Sequence, residues 1–211
     1  MKKPFNTILL FIICPLILNA QKVDSLYYVS GQLKAFGKML NGNKEGKWTL
    51  LYPNGNLNSI ENYSKGKLHG KSMRYNFQEE LISEENWEEG LKAGHSTEYY
   101  DGSQIKRSGD YKEGLYDGKW SAFYENGNKK SVGFYKYGMP HGYWIFYLEN
   151  GDIDKEGEFK MGEQSGKWKI YSNGKLDSEG ELLMGEMVGE WKFFKKNGKL
   201  KEILDFNSNS D

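Results

Sequence analysis

A pair of glycines separated by three residues recurs along this chain, and it constrains the fold more than any other feature. The first glycine of each pair is Gly42, Gly66, Gly90, Gly114, Gly138, Gly162 or Gly185. The spacing is 24 residues throughout, except for the last interval of 23. A period of roughly 20–50 residues is typical of repeat proteins, in which each unit stacks on its neighbours. We therefore expect one repeat array over residues 21–206 and a polar C-terminal tail at 207–211.

Each unit has the pattern of two short strands joined by a turn. Asn-Gly lies between the strands in five units, as at Asn54-Gly55. This dipeptide predicts a β-hairpin with a type I′ turn, because both residues tolerate a positive φ. Turns this short force neighbouring strands to pair antiparallel. The predicted fold is therefore all-β, an elongated single-layer antiparallel meander of about seven 24-residue β-hairpin repeats.

Tryptophans are predicted to form the core of this sheet. The set is Trp48, Trp87, Trp120, Trp144, Trp168 and Trp191. Four later units also have a glycine inside the second strand, at Gly109, Gly133, Gly157 and Gly180. A strand glycine is favoured where a large side chain crosses the backbone, and the neighbouring tryptophan is the expected one. Serine replaces tryptophan at Ser72 and Ser96, and Trp87 between them is expected to restore the lost volume.

The first twenty residues have the composition of a secretory signal peptide. Lys2 and Lys3 precede an apolar run at residues 8–18, and a small residue, Ala20, ends the segment. Cleavage after Ala20 would leave 27 Lys and Arg residues against 29 Asp and Glu residues, and no cysteine. A chain this close to neutral lacks the positive field that holds nucleic acid. We predict a secreted or periplasmic protein with no nucleic-acid partner.

The repeat unit resembles a known family. Its pattern G-[KYE]-W-x-x-[FY]-x-x-x-N-G, with Leu68-His69-Gly70 and Pro140-His141-Gly142 at the glycine pairs, is similar to the MORN repeat and in particular to its bacterial variant. The second unit departs from the pattern, because Gln78-Glu79-Glu80 replaces Asn-Gly. The resemblance implies an elongated antiparallel sheet used for binding, in scaffolds, in membrane-associated proteins and in bacterial proteins labelled as antitoxins.

No pattern in the sequence indicates catalysis, a metal or a cofactor. The three histidines are His69, His95 and His141, and two of them occupy equivalent places three repeats apart. A metal site needs three or four ligands together. We therefore expect a non-enzymatic protein without a cofactor.

Units two and three are the predicted docking site for a protein partner. The candidate residues are Tyr75, Glu84, Glu85, Glu88, Glu89, Tyr99 and Tyr100. An acidic surface beside tyrosines suits a basic protein, because complementary charge speeds association. Three alternatives are glycan or cell-wall binding through exposed aromatic rings, an antitoxin or immunity role, and binding to a membrane surface, which the net charge disfavours.

Overall fold

The structure, a computed structural model, describes residues 23–206, so the predicted signal peptide and the C-terminal tail lie outside the described residues. The strands are β1 (Asp24–Tyr27), β2 (Leu33–Leu40), β3 (Asn43–Leu51), β4 (Leu57–Ser64), β5 (Lys67–Leu68), β6 (Gly70–Tyr75), β7 (Leu81–Glu88), β8 (Leu91–Lys92), β9 (Gly94–Tyr99), β10 (Ile105–Lys112), β11 (Leu115–Phe123), β12 (Lys129–Lys136), β13 (Met139–Tyr147), β14 (Ile153–Lys160), β15 (Glu163–Ser172), β16 (Lys175–Leu183), β17 (Glu186–Phe194) and β18 (Leu200–Asp205). Within residues 23–206, no helix is long and apolar enough to cross a bilayer.

The strands form one open antiparallel sheet in meander order. Each strand pairs with the next along the chain, and β5 with β6 and β8 with β9 are the two parts of interrupted strands. At about 4.8 Å per strand, the sheet extends roughly 70 Å from β1 to β18. The predicted fold class is confirmed.

The predicted position of the type I′ turns was wrong at four of the five Asn-Gly steps. In Asn54-Gly55 only the glycine has a positive φ, and the Gly55 N–H donates to the Tyr52 carbonyl across a longer loop. The two-residue turns with positive φ at both positions lie instead at the first glycine of each pair, as at Asn41 (51°) and Gly42 (78°). Both positions of a type I′ turn need a positive φ. The first glycine of each pair and the residue before it therefore close the tight hairpins.

The single 23-residue interval has a structural cause at Asn173-Gly174. Both residues have a positive φ, 51° and 69°, and Ser172 pairs directly with Lys175 around them. This is the two-residue type I′ turn that the sequence predicted for all five Asn-Gly steps. One deleted residue therefore converts the longer loop of the other units into the tighter turn.

Tryptophans and glycines alternate along one row that crosses the sheet. Trp120 pairs with Gly133, Trp144 with Gly157 and Trp168 with Gly180. Each indole also lies over the glycine of the preceding strand. A Cβ added at Gly133 would be 2.0 Å from Cδ2 of Trp144, which no real Cβ could be. Trp48 lies over Gly37 in the same way, and the sequence analysis did not predict this pair. Five of the six tryptophans are buried by this arrangement; Trp87 is half-buried.

A β-bulge at each of these glycines leaves a backbone carbonyl for the indole. Trp144 Nε1 donates to the Phe134 carbonyl at 3.0 Å, one residue beyond Gly133, where the strand register shifts. The other four rings make the equivalent bond, Trp48 to Lys38, Trp120 to Asp110, Trp168 to Glu158 and Trp191 to Glu181. Each bulge leaves one backbone carbonyl without its hydrogen-bond partner in the sheet, and the indole that covers the bulge donates to that carbonyl.

In units two and three the same row is polar. Ser72 and Ser96 stand in the tryptophan places, and Glu61 and Glu85 in the glycine places. The carbonyl that an indole would use is occupied here by a backbone N–H, since His69 donates to Asn62 and Ala93 donates to Asn86. This different bond interrupts the strands between β5 and β6 and between β8 and β9. Carboxylates, rather than Trp87 alone, occupy the places left by the missing rings.

Candidate protein-interaction surface

Successive side chains on a strand point to opposite faces, so the row of tryptophans defines two faces of the sheet. We call the face that carries Trp48, Trp120, Trp144, Trp168 and Trp191 the tryptophan face and the other one the open face. Lys71 and Met73 flank Ser72 and therefore lie on the open face, as does Glu84, which pairs with Met73. Within residues 23–206 the tryptophan face holds the buried rings, which leaves the open face as the candidate surface for a partner.

Glu84 is the centre of a polar cluster on the open face. Its carboxylate forms an ion pair with Lys71 Nζ at 2.9 Å, and both side chains remain partly exposed. Burial, followed by the negative charge of Glu84, raises the pKa of Tyr99. Tyr75 lies on the same face, where its hydroxyl contacts the Met73 sulfur at 3.7 Å. Three of the predicted residues, Tyr75, Glu84 and Tyr99, are thus brought onto one surface.

The structure separates the other predicted residues from this cluster. Glu85 is only 5% exposed, lies on the tryptophan face and is paired with Lys92 at 2.8 Å, so it cannot belong to an exposed acidic surface. Glu88 ends β7, and Glu89 is in the adjoining turn, with Lys67 Nζ at 3.2 Å. Tyr100 lies at the opposite strand end and donates its hydroxyl to the Phe123 carbonyl at 3.0 Å. The predicted acidic surface of Glu84, Glu85, Glu88 and Glu89 is therefore not one patch.

Sequence reasoning missed a hydrogen-bonded chain beside this cluster. Asp110 Oδ1 is 2.9 Å from His95 Nδ1, and His95 Nε2 is 2.9 Å from Ser108 Oγ. Ser108 Oγ is also 3.2 Å from Thr97 Oγ1, and Thr97 pairs with Glu84, which connects the chain to the cluster. The residues come from two strands, and only the pairing of Asp110 with His95 in the hairpin register brings them together.

Asp110, His95 and Ser108 are hydrogen-bonded in the order found in the serine-hydrolase triad. Whether such a triad can catalyse hydrolysis depends on the groups around it. A hydrolase also needs oxyanion donors and a site that holds substrate and excludes water. Here the His95 and Asp110 side chains are 64% and 58% exposed on a sheet face. Ser108 lies within β10, paired with a neighbour on each side. The arrangement places the His95 and Asp110 side chains at the solvent-exposed surface of the sheet.

Part of the chain matches a known family model. The model described as the MORN repeat variant matches residues 44–65, 116–137, 140–161 and 187–208. The unmatched stretches contain the two units with serine in the tryptophan place and the unit with the shortened Asn173-Gly174 turn. None of the curated proteins matches this chain.

Several solved structures show weak likeness. A GtfA/B complex bound to UDP and GlcNAc is 12% identical over 55% of this chain and 23% of its own chain, with a TM-score of 0.25. The TcdB2-TccC3 structure is 12% identical over 88% of this chain and 14% of its own, with a TM-score of 0.21. A protein of unknown function from Bacteroides fragilis NCTC 9343 is 11% identical over 92% and 98% of the two chains, with a TM-score of 0.12. The chain spans a quarter or less of the first two, and TM-scores this low carry no argument about function.

Proposed function

This chain is a MORN-repeat protein, and from that premise we propose that it is an exported, non-enzymatic scaffold that binds a protein partner on the open face of its sheet. The observation that supports this proposal is the cluster of Lys71, Glu84 and Tyr99. It is joined to the hydrogen-bonded chain of Thr97, Ser108, His95 and Asp110. The cluster exposes Lys71, His95 and Asp110 on one face, with Glu84 and Tyr99 half-buried beside them. Interfaces favour tyrosine at anchors and use charge to orient a partner.

The polar surface is also pre-organised. The side chains are anchored on paired strands and bonded to one another, so fewer rotamers are lost when a partner docks, and that loss is a main cost of association. A basic segment of a partner would face Glu84 and Asp110. Because exposed charges are screened by salt, association should slow as ionic strength rises.

Glu84→Lys tests this surface. A photo-cross-linking amino acid at position 99 in the native host first captures the partner, and association of the purified pair is then measured at several salt concentrations. We expect Glu84→Lys to slow association about tenfold and to flatten the salt dependence, with Glu113→Lys, an exposed turn residue, as the matched control. Unchanged rate and salt slope in Glu84→Lys would show that the partner docks elsewhere.

Glycan binding is a second candidate, favoured by two exposed rings. Phe134 and Tyr143 are 48% and 47% exposed, and both point away from the tryptophan face, since each adjoins a residue of the tryptophan–glycine row. Sugars stack on such rings. Isothermal titration with cell-wall fragments separates the two functions, because Phe134→Ala with Tyr143→Ala would abolish sugar binding and leave the Glu84-dependent interaction unchanged.

The non-enzymatic part of the proposal is tested at Ser108. We expect p-nitrophenyl acetate hydrolysis by the protein to equal that of Ser108→Ala. A rate that falls at least a hundredfold in Ser108→Ala and in His95→Ala would instead establish a nucleophilic serine, since loss of a triad member costs about that much or more.

Export is tested separately by mass spectrometry of the mature protein. Cleavage after Ala20 predicts an N-terminus at Gln21 in the envelope or medium. An intact Met1 on a cytosolic protein would contradict it.

A further inference from the structure

The tight turns along one edge of the sheet carry side chains that the backbone there does not favour. The first turn residue has a positive φ in every case, and Tyr137 (52°), Met161 (51°) and Met184 (54°) occupy that position in the later units. Asn, Asp and Gly are the residues that accept this conformation readily, whereas a bulky side chain is strained. Such strain persists where it serves a function.

These residues are also the exposed apolar side chains of that edge. Together with their neighbours they form what we call the apolar rim, consisting of Leu91, Leu115, Tyr137, Met139, Met161, Leu183 and Met184. Exposure ranges from 41% at Met161 to 72% at Met184. In the earlier units the first turn residues themselves are polar, namely Asn41, Lys65 and Glu89. An exposed apolar patch of this kind, on turn residues whose backbone is strained, is typical of an interaction site.

The rim is continuous from one turn to the next as far as the turn at Gly162, whereas within residues 23–206 no atom beyond the adjoining residues lies within 4 Å of a Cβ placed at Gly185. The position of a Cβ on Gly138 would be 3.4 Å from Leu115, and that on Gly162 would be 3.9 Å from Met139, so each side chain reaches the following turn. A depression of about 140 Å³ lies between Leu115 and Tyr137. Flexible methionine side chains adapt to the shape of a bound apolar surface.

A row of lysines runs beside the rim. Lys112 pairs with Leu115 and Lys136 with Met139, and Lys160 occupies the equivalent place in the next unit. All three are exposed, and within residues 23–206 none has an ion-pair partner. The edge therefore offers apolar side chains and, alongside them, positive charge.

We propose that the apolar rim binds an amphipathic α-helix of a partner protein, with an acidic flank facing Lys112, Lys136 and Lys160. Adjacent tight turns are two strands apart, or about 9.6 Å. An apolar residue recurs on one side of a helix every seven positions, or about 10.5 Å. A helix of about 20 residues, roughly 30 Å long, would thus follow the rim from the turn at Gly114 to the turn at Gly185. The rim lies outside the Glu84 cluster, so either surface can fail without the other.

A protein helix fits the charges better than an anionic membrane does. Glu113, Glu163 and Glu186 lie in or next to the same turns, and a bilayer would press them against like charge. A helix can place acidic residues opposite the lysines and a basic residue near Glu186. The polar rims of most protein interfaces have this mixed character.

The test replaces the strained residues with the residue that this turn prefers. Tyr137→Asn, Met161→Asn and Met184→Asn are combined in one variant. The probe is a fluorescent, helical peptide of about 21 residues with leucines on one stripe and glutamates on the flank, and fluorescence anisotropy measures its binding. We expect affinity to fall at least about tenfold while the melting temperature stays the same or rises, because Asn relieves the strain.

The matched control is Lys65→Asn, which changes the same turn position in a unit outside the rim. It should relieve strain at that turn and leave peptide affinity unchanged. A second comparison uses a peptide with lysines on the flank, which should bind at least about tenfold more weakly.

Four results would overturn the proposal: no binding of the acidic peptide, equal affinity of the Asn variant, equal affinity of the lysine-flanked peptide, or a fall in melting temperature of the Asn variant that accounts for its lost binding. Vesicles of phosphatidylcholine and phosphatidylserine form a further arm. Rim-dependent sedimentation with those vesicles, without peptide binding, would identify the rim as a membrane-contacting edge instead.

Discussion

The tryptophan face has two regions, β10–β18 and β4–β9, which share one antiparallel meander and differ in the side chains that fill it. In β10–β18 indoles lie over glycines, and neighbouring rings pack edge to face, as do Tyr135 and Trp144 with centroids 5.1 Å apart. In β4–β9 carboxylates take the glycine places. Glu61 accepts hydrogen bonds from Ser59 at 3.0 Å and Tyr63 at 2.5 Å.

The difference shows that a repeat needs its backbone register more than its signature side chains. The polar region keeps the meander although it has no ring in the row, because ion pairs such as Glu85 with Lys92 satisfy the buried charge. Buried ion pairs add little net stability but are costly to break. The polar region is therefore expected to be the weaker and the more easily modified part of the array, and the Glu84 cluster lies on its reverse face.

The largest expected effect is in the aromatic region. Trp144→Ala should lower the free energy of unfolding by roughly 3–5 kcal/mol, because it removes a ring that is 6% exposed and leaves a cavity over Gly133. Urea unfolding followed by far-ultraviolet circular dichroism, analysed as a two-state transition, measures it. A loss under about 1 kcal/mol would mean that the indoles are not the core.

A smaller loss is expected when the polar region loses one partner of its ion pair. Lys92→Met should cost about 1–3 kcal/mol, because Glu85 then remains buried without its cation. Glu85→Gln with Lys92→Met should recover part of that loss. The comparison of regions fails if the single variant is as stable as the parent, since the polar network would then contribute nothing.

Alkaline pH provides a finer probe of the polar region. Burial, followed by the hydrogen bond to Glu61, raises the pKa of Tyr63 above its usual value near 10. The folded protein therefore keeps a proton that the unfolded chain loses. This contribution is fully present below about pH 10 and is lost as the pH rises from there toward the folded pKa. Tyr63→Phe should reduce the decline of the unfolding free energy with pH by up to about 1.4 kcal/mol per pH unit. Solvent screening of this half-exposed side chain makes the reduction smaller. Urea midpoints at pH 9 and 11, chosen to bracket roughly that value, measure it.

The smallest effect is expected at Ser72. Its hydroxyl is buried and has no hydrogen-bond partner within residues 23–206, so Ser72→Ala should change stability by less than about 0.5 kcal/mol or raise it slightly. Thermal unfolding is the measurement. A loss above about 1 kcal/mol would point to a bound water that Ser72 shares with Trp87, whose Nε1 is likewise buried without a partner.

Much of the fold could be predicted because it depends on local spacing. The glycine period predicted the meander of 24-residue repeats, and the strand glycines correctly predicted that Trp120, Trp144, Trp168 and Trp191 cross the backbone. The turn type was harder, because Asn-Gly suits two loops that differ by one residue. The candidate surface was predicted only in part. Glu84 and Glu85 are neighbours in sequence, and strand alternation sends one to each face.

By itself the sequence determined the period, the antiparallel order and five of the six predicted core tryptophans, since each follows from spacing of 24 residues or fewer. Only the tertiary structure decided which side chains meet across strands. The contact of Asp110 with His95, the indole bonds to bulged carbonyls and the row of exposed methionines depend on pairing register and on bulges. A bulge displaces the partners beyond it by one residue, and composition does not encode that shift.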